Sequence, residues 1–240
     1  LWKKEIARWQ TYLWPLKSGP TQLARRLVSD GDRVFVTLAI DAPVSQLDGA
    51  TGESLRVYES TKGAEEILHA DGVLYVLVNP KAWALEEFAP KFNTGDQKRV
   101  TTEFNWDENP REVQAVDAAT GLVLWKKEGK FAPLTLACDG KTLLYHDGDK
   151  IVCVEAKSGA QRWASEPAAK RKLYEYNFGP RLLLNQGVVL YAGGDGAMKA
   201  FDGQSGKELW NAPHNQSGYR SPEDLIVAGG LVWNAPTLSG

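Results

Sequence analysis

Four stretches of the chain share one pattern. In "VSQLDGATGESLR" from Val44, "VQAVDAATGLVLW" from Val113, "IVCVEAKSGAQRW" from Ile151 and "AMKAFDGQSGKELW" from Ala197, an alternating apolar run leads into an acid: Asp48, Asp117, Glu155 or Asp202. Two residues, a Thr or Ser, a Gly, three residues and a Trp follow, except that Arg56 takes the Trp place in the first copy. Alternation puts successive side chains on opposite faces of a strand. The acid can hold a turn by accepting backbone N–H groups, and the Gly supplies a positive φ. The motif therefore predicts a hairpin whose Trp, on the returning strand, packs between neighbouring sheets.

A second pattern precedes each copy: "LVSDGDRVFV" from Leu27, "ILHADGVLYVLV" from Ile67, "LTLACDGKTLLYH" from Leu134 and "LLLNQGVVLYAG" from Leu182. Each is an apolar strand, a turn containing Gly, and a strand bearing an aromatic (Phe35, Tyr75, Tyr145, Tyr191), which is another hairpin. One unit is thus four antiparallel strands. The motif glycines stand at 52, 121, 159 and 206, so copies are 69, 38 and 47 residues apart. The first step exceeds the others by an insertion.

Repeated units of four short strands predict an all-β β-propeller, in which radial packing hides most sheet edges. The expected organisation is a single propeller over residues 1–240, with whole blades at 20–60, 61–128, 129–166 and 167–213. Residues 1–19 read as the end of a preceding blade and a linker, and 214–240 as the start of a further one, which makes the ring incomplete. "LWKK" at the start matches Leu124–Lys127 and reads as a fourth strand.

The acid, Thr-Gly and Trp spacing resembles the repeat of quinoprotein-type propellers, the family that includes quinoprotein alcohol dehydrogenases and the outer-membrane barrel assembly lipoprotein. "WPLKSGPTQLARRLVSDGDRVFVT" and "SGYRSPEDLIVAGGLVW" also resemble large exported repeat proteins of a planctomycete type. The resemblance implies a periplasmic or extracellular location. For the enzymes of the family it implies pyrroloquinoline quinone held with calcium at the propeller mouth, a catalytic Asp and often a disulfide between adjacent cysteines. No catalytic residue carries over to this sequence, and no metal site is expected. Cys138 and Cys153 fall on separate strands of one unit, and whether they pair is open.

Candidate binding residues lie where the repeat is interrupted. The connection between second and third strands, Asn79–Arg111, is the largest interruption and carries Trp83 and Trp106; it reads as a lid or partner-binding arm. The segment from Pro167 sets Lys170, Arg171 and Lys172 beside Tyr174 and Tyr176, a combination suited to an aromatic carboxylate. The segment from Ala212 gathers His214, Tyr219, Arg220, Glu223 and Asp224: a residue that titrates near neutrality, an anion-binding guanidinium and carboxylates to orient them.

Composition excludes other classes. With 28 basic and 30 acidic residues the net charge is −2, so no overall field favours nucleic acid. No apolar run reaches the roughly 20 residues of a membrane-spanning helix. The glycines of "GGDGAMKAF" connect two strands, so no helix N-terminus stands there for a phosphate. The expected function is a non-catalytic propeller, part of a larger exported protein, that binds a small molecule or protein on its loop face. The alternatives are a fragment of a quinone-dependent dehydrogenase and a scaffold for a neighbouring catalytic or cytochrome domain.

Overall fold

The computed structural model describes residues 2–4, 25–39, 42–81, 109–132, 134–169, 181–214 and 225–234. They form four antiparallel sheets of four strands and one of two, each sheet built from consecutive strands. The first sheet comprises β1 (Leu27–Asp30), β2 (Arg33–Thr37), β3 (Val44–Asp48) and β4 (Ser54–Tyr58). The second comprises β5 (Ala64–Ala70), β6 (Val73–Val78), β7 (Arg111–Asp117) and β8 (Val123–Gly129). The third comprises β9 (Ala137–Cys138), β10 (Thr142–His146), β11 (Ile151–Glu155) and β12 (Gln161–Ala164). The fourth comprises β13 (Arg181–Asn185), β14 (Val188–Ala192), β15 (Ala197–Asp202) and β16 (Glu208–Pro213), followed by the pair β17 (Leu225–Ala228) and β18 (Leu231–Asn234).

This is the expected all-β propeller. The first strands lie against one another in chain order, β1 on β5, β5 on β9, β9 on β13 and β13 on β17, so they surround the centre. The last strands β4, β8 and β16 form the exposed perimeter. Apolar clusters fill the spaces between successive sheets: Phe35, Tyr58, Ile67 and Val116 between the first and second, Tyr75, Val113, Leu136 and Tyr145 between the second and third. Leu144, Trp163, Leu182 and Tyr191 fill the next space, and Leu190, Met198 and Leu225 the last.

The hairpins between first and second strands turn as their sequences require. Asp71-Gly72 and Gln186-Gly187 both take positive φ at two successive residues, the geometry of a tight two-residue turn. The aromatics of the second strands, similar in sequence, are out of phase in space. Phe35 and Tyr75 face the following sheet, whereas Tyr145 and Tyr191 face the preceding one. Each of the latter stands one residue further along its strand, and a one-residue offset reverses the face.

The turn motif behaves as a hook and a seat. Asp48 Oδ1 accepts the Thr51 N–H at 2.8 Å and its hydroxyl at 3.0 Å; Asp117 does the same with Thr120, and Asp202 with Ser205. These hydrogen bonds hold all three carboxyls below the usual carboxylate range. The glycine behind each turn has φ between +71° and +80°. Against Gly121, Gly159 and Gly206 lies the fourth-strand side chain of the preceding sheet, and against Gly52 lies Trp2. Trp2 Nε1 donates to Gly49 O at 2.8 Å, Trp125 Nε1 to Ala156 O at 2.8 Å, and Trp163 Nε1 to Gly203 O at 3.0 Å. Arg56 substitutes with two bonds, Nη2 to Ala119 O and Nη1 to Thr120 O, each 2.9 Å. A Cβ on Gly159 would come within 2.9 Å of the Trp125 ring, so the seat has to be glycine.

A β-bulge in each fourth strand aims this side chain. Trp125 pairs with Ala115 and Val123 with Val116, which leaves Leu124 over; Leu55, Arg162 and Leu209 are the extra residues of the other sheets. The bulge lets Val123 and Trp125, two residues apart, face opposite sides of the sheet.

Cys138 and Cys153 are free. They flank β10, opposite Leu143 and Leu144 respectively, and therefore lie on opposite faces of the sheet, where no disulfide can form. Burial pushes each thiol up to about 11.

Candidate functional site

The connections from second to third strands and from each sheet to the next emerge on one face, and the described residues there are unusually charged for their burial. Glu65, at the start of the central strand β5, is 1% exposed, as is Arg111 at the start of β7. Arg111 Nε donates to Glu65 Oε2 at 3.0 Å and Nη1 to the Asn109 carbonyl at 2.8 Å. Asn79 Nδ2 donates to Glu65 Oε1 at 3.0 Å, and Asn79 Oδ1 accepts the Lys81 N–H at 3.0 Å. Asn79 and Asn109 are where the insertion leaves β6 and returns to β7, so one buried ion pair holds both of its roots. Arg111 corrects the sequence reading: it belongs to the strand, not to the inserted segment, because its guanidinium has a buried carboxylate to neutralise.

A second buried carboxylate lies beside it. Glu66 Oε1 accepts a hydrogen bond from Arg25 Nη1 at 3.0 Å, and the same Nη1 donates to Leu136 O at 3.1 Å. Glu66 Oε2 is buried with no hydrogen-bond partner among the described residues. Burial raises the carboxyl above its ordinary range, and Arg25 and the main chain at Leu136 and Leu134 act against that rise. Three successive sheets meet at this point: Arg25 leads into β1, Glu66 is in β5 and Leu136 precedes β9.

Two histidines close the face further round. His146 Nδ1 accepts the Gly148 N–H at 3.0 Å, so its proton is on Nε2, which donates to Ala168 O at 2.8 Å. Its ring stacks on Tyr191. His214 follows β16, its N–H bonded to Gly196 O at 2.9 Å and its Nδ1 buried without a partner among the described residues. Burial lowers its pKa, against a smaller opposing pull from Asp195. Of the residues singled out from sequence, His214 is described and is buried just past the end of β16. Tyr219, Arg220, Glu223, Asp224, Arg171, Tyr174, Tyr176, Trp83 and Trp106 lie outside the described residues. Sequence reasoning passed over Glu65 and Glu66 because they precede the apolar run that begins at Ile67; β5 extends back to Ala64, and a bulge at Glu65 lets both adjacent acids be buried.

Residues 110–235, from the start of β7 through β18, match the family described as outer membrane protein assembly factor BamB. The chain belongs to that family. Among solved structures this BamB-family chain is similar to BamB from Moraxella catarrhalis, with a TM-score of 0.58 and 16% identity over 89% of this chain and 58% of that one. It is also similar to the computationally designed Ika8 protein, with a TM-score of 0.50 and 15% identity over 89% and 68% of the two chains. At these identities the likeness is one of fold. It is 30% identical over 209 residues to the serine/threonine-protein kinase AfsK of Streptomyces coelicolor, covering 85% of this chain and 25% of the kinase. It is 25% identical over 195 residues to the quinohemoprotein alcohol dehydrogenase ADH IIB of Pseudomonas putida, covering 70% and 24%. The BamB-family chain thus spans about a quarter of the length of these curated relatives.

The quinone and calcium ion implied by the resemblance to dehydrogenases do not fit the described residues. Among them no three His, Cys, Asp or Glu side chains gather as cation ligands. The loop-face carboxylates Glu65 and Glu66 are each engaged by an arginine, and the two cysteines stand on opposite sides of a sheet. No helix among the described residues is long and apolar enough to cross a membrane.

Proposed function

We propose that the chain is a non-catalytic binding propeller, part of a larger exported protein, whose loop face takes a small molecule or a protein. The observation that carries this reading is a division of labour. Asp48, Asp117 and Asp202 are occupied within their own turns and Trp125 and Trp163 between blades, whereas the loop face holds the buried charges and the anchored roots of the Asn79–Asn109 insertion. Trp83 and Trp106 within that insertion, Arg171, Tyr174 and Tyr176 before β13, and His214, Tyr219, Arg220, Glu223 and Asp224 before β17 are its proposed contacts, since these segments all connect strands at that face. An extracytoplasmic location is supported by the match to the family described as outer membrane protein assembly factor BamB.

A second reading, a scaffold for a neighbouring catalytic domain, is favoured by the match to one quarter of a kinase. The dehydrogenase reading is tested directly by titrating the full-length protein with pyrroloquinoline quinone and calcium, following absorbance and thermal shift, with His214→Ala and Arg220→Ala in parallel. We expect no saturable binding and no quinone-dependent dye reduction. Saturable binding weakened by either substitution overturns the non-catalytic reading.

A further inference from the structure

We propose that the centre of the loop face is a carboxylate-binding subsite in which Arg25 is the binding residue and Glu66 the positioning residue. This deepens the preceding reading and rests on it.

Four features converge on Arg25. Its φ is +58°, and of the four non-glycine residues with positive φ among the described residues, only Arg25 and Leu134 lie outside tight hairpin turns. Left-handed backbone at such residues is strained and persists where the surroundings demand a particular placement. Both strained residues border the same carboxylate, that of Glu66. Second, Arg25 sits where the first strands of three blades meet, its own carbonyl accepting the Ile67 N–H at 3.0 Å. Third, its side chain is 29% exposed while that of Glu66 is 1% exposed, so solvent reaches the arginine but not the acid it holds.

The fourth feature is the form of the ion pair. An arginine placed only to neutralise a buried acid would present its fork to both oxygens. Here a single nitrogen, Nη1, serves both Glu66 Oε1 and Leu136 O. Nε and Nη2 make no hydrogen bond to a described residue, and the guanidinium fork does not reach Glu66 Oε2. Glu66 and Leu136 thus fix the guanidinium by one corner, with its remaining donors available as a planar pair. That edge matches the two oxygens of a carboxylate.

A carboxylate can come from a free organic acid or from the end of a peptide, and the test separates them. The full-length protein, labelled with nitrogen-15, is titrated with succinate and with two pentapeptides that differ only in a free or amidated C-terminus, and the Arg25 Nε–H resonance is followed beside calorimetry. We expect saturable binding that moves this resonance, with the amidated peptide silent. Arg25→Gln should weaken binding by about tenfold or more, and Arg25→Lys by less. Glu66→Gln removes a negative charge yet should weaken binding, because the guanidinium loses its anchor; tighter binding by this variant overturns the positioning role. Should Arg25→Gln fail to fold, the resonance shift in the unmutated protein decides the matter. Absence of saturable binding by all three probes overturns the subsite, and leaves the non-catalytic reading to the quinone titration.

Discussion

The indole of Trp163 lies flat on Gly206 of the next blade, its Nε1 bonded to Gly203 O at 3.0 Å. Trp210 holds the equivalent position one blade on, yet is 39% exposed, with no turn against it among the described residues. Removing the first should destabilise by about 3 kcal/mol, since it loses a packed aromatic and leaves a void. Removing the second should cost about 1 kcal/mol or less. Chemical denaturation of Trp163→Ala and Trp210→Ala in the 240-residue chain measures the difference, and equal losses would contradict the docking account.

Arg56 does an indole's work with two hydrogen bonds. Arg56→Ala should cost about 1–2 kcal/mol, the net worth of two bonds at a partly solvated seam. Arg56→Lys should recover less than half, because an ammonium cannot span the Ala119 and Thr120 carbonyls as the planar guanidinium does. Urea midpoints of the two variants give the answer.

Glu155 is the exception among the turn acids. Its main chain makes the same turn, with the Gly159 N–H bonded to Glu155 O at 2.8 Å. Its carboxylate instead pairs with Arg162 at 3.6 Å, because the extra methylene carries it past the turn N–H groups. Glu155→Asp should therefore stabilise by about 1 kcal/mol through a newly satisfied turn. A melt no higher than that of the unmutated chain would count against this.

The pair Glu65–Arg111 should respond asymmetrically. Either single replacement, Glu65→Leu or Arg111→Met, strands a buried charge and should cost about 3–5 kcal/mol. The double replacement should recover most of that loss, and a double-mutant cycle by denaturation measures it. Protease cleavage within residues 82–108 should nonetheless rise in the double variant, since Asn79 and Asn109 lose their anchors.

Acid should act through two sets of groups. The folded-state pKa values of Asp48, Asp117 and Asp202 are depressed by their turns. Their stabilisation is therefore present above the unfolded pKa and is lost as pH falls through the folded value. His214 is also depressed, by burial, below its ordinary 6.5. The unfolded chain takes up that proton first, so stability begins to fall once pH drops below 6.5. His214→Leu should flatten the stability profile in this upper range and leave the carboxylate range unchanged.

The blades were legible because their signal is local: a period of two, an acid that caps its own turn, and a glycine that no other residue replaces. The bulges at Leu55, Leu124, Arg162 and Leu209 were not, since an extra residue in an outer strand is visible only against its partner. The phase of Tyr145 and Tyr191 failed to show for the same reason. The loop face was the least legible part. Glu65 and Glu66 are ordinary surface residues by type, and only the convergence of three first strands buries them, Glu66 beside the half-exposed Arg25.

Because each blade reaches forward to grip its successor, the hook and its seat are encoded in every repeat, one at each end of the same hairpin. A duplicated blade would arrive with a grip for the blade after it and a platform for the blade before it. Such a chain can lengthen by tandem copying without its seams being reinvented, and the two surfaces that must agree at a new junction descend from the same stretch of gene.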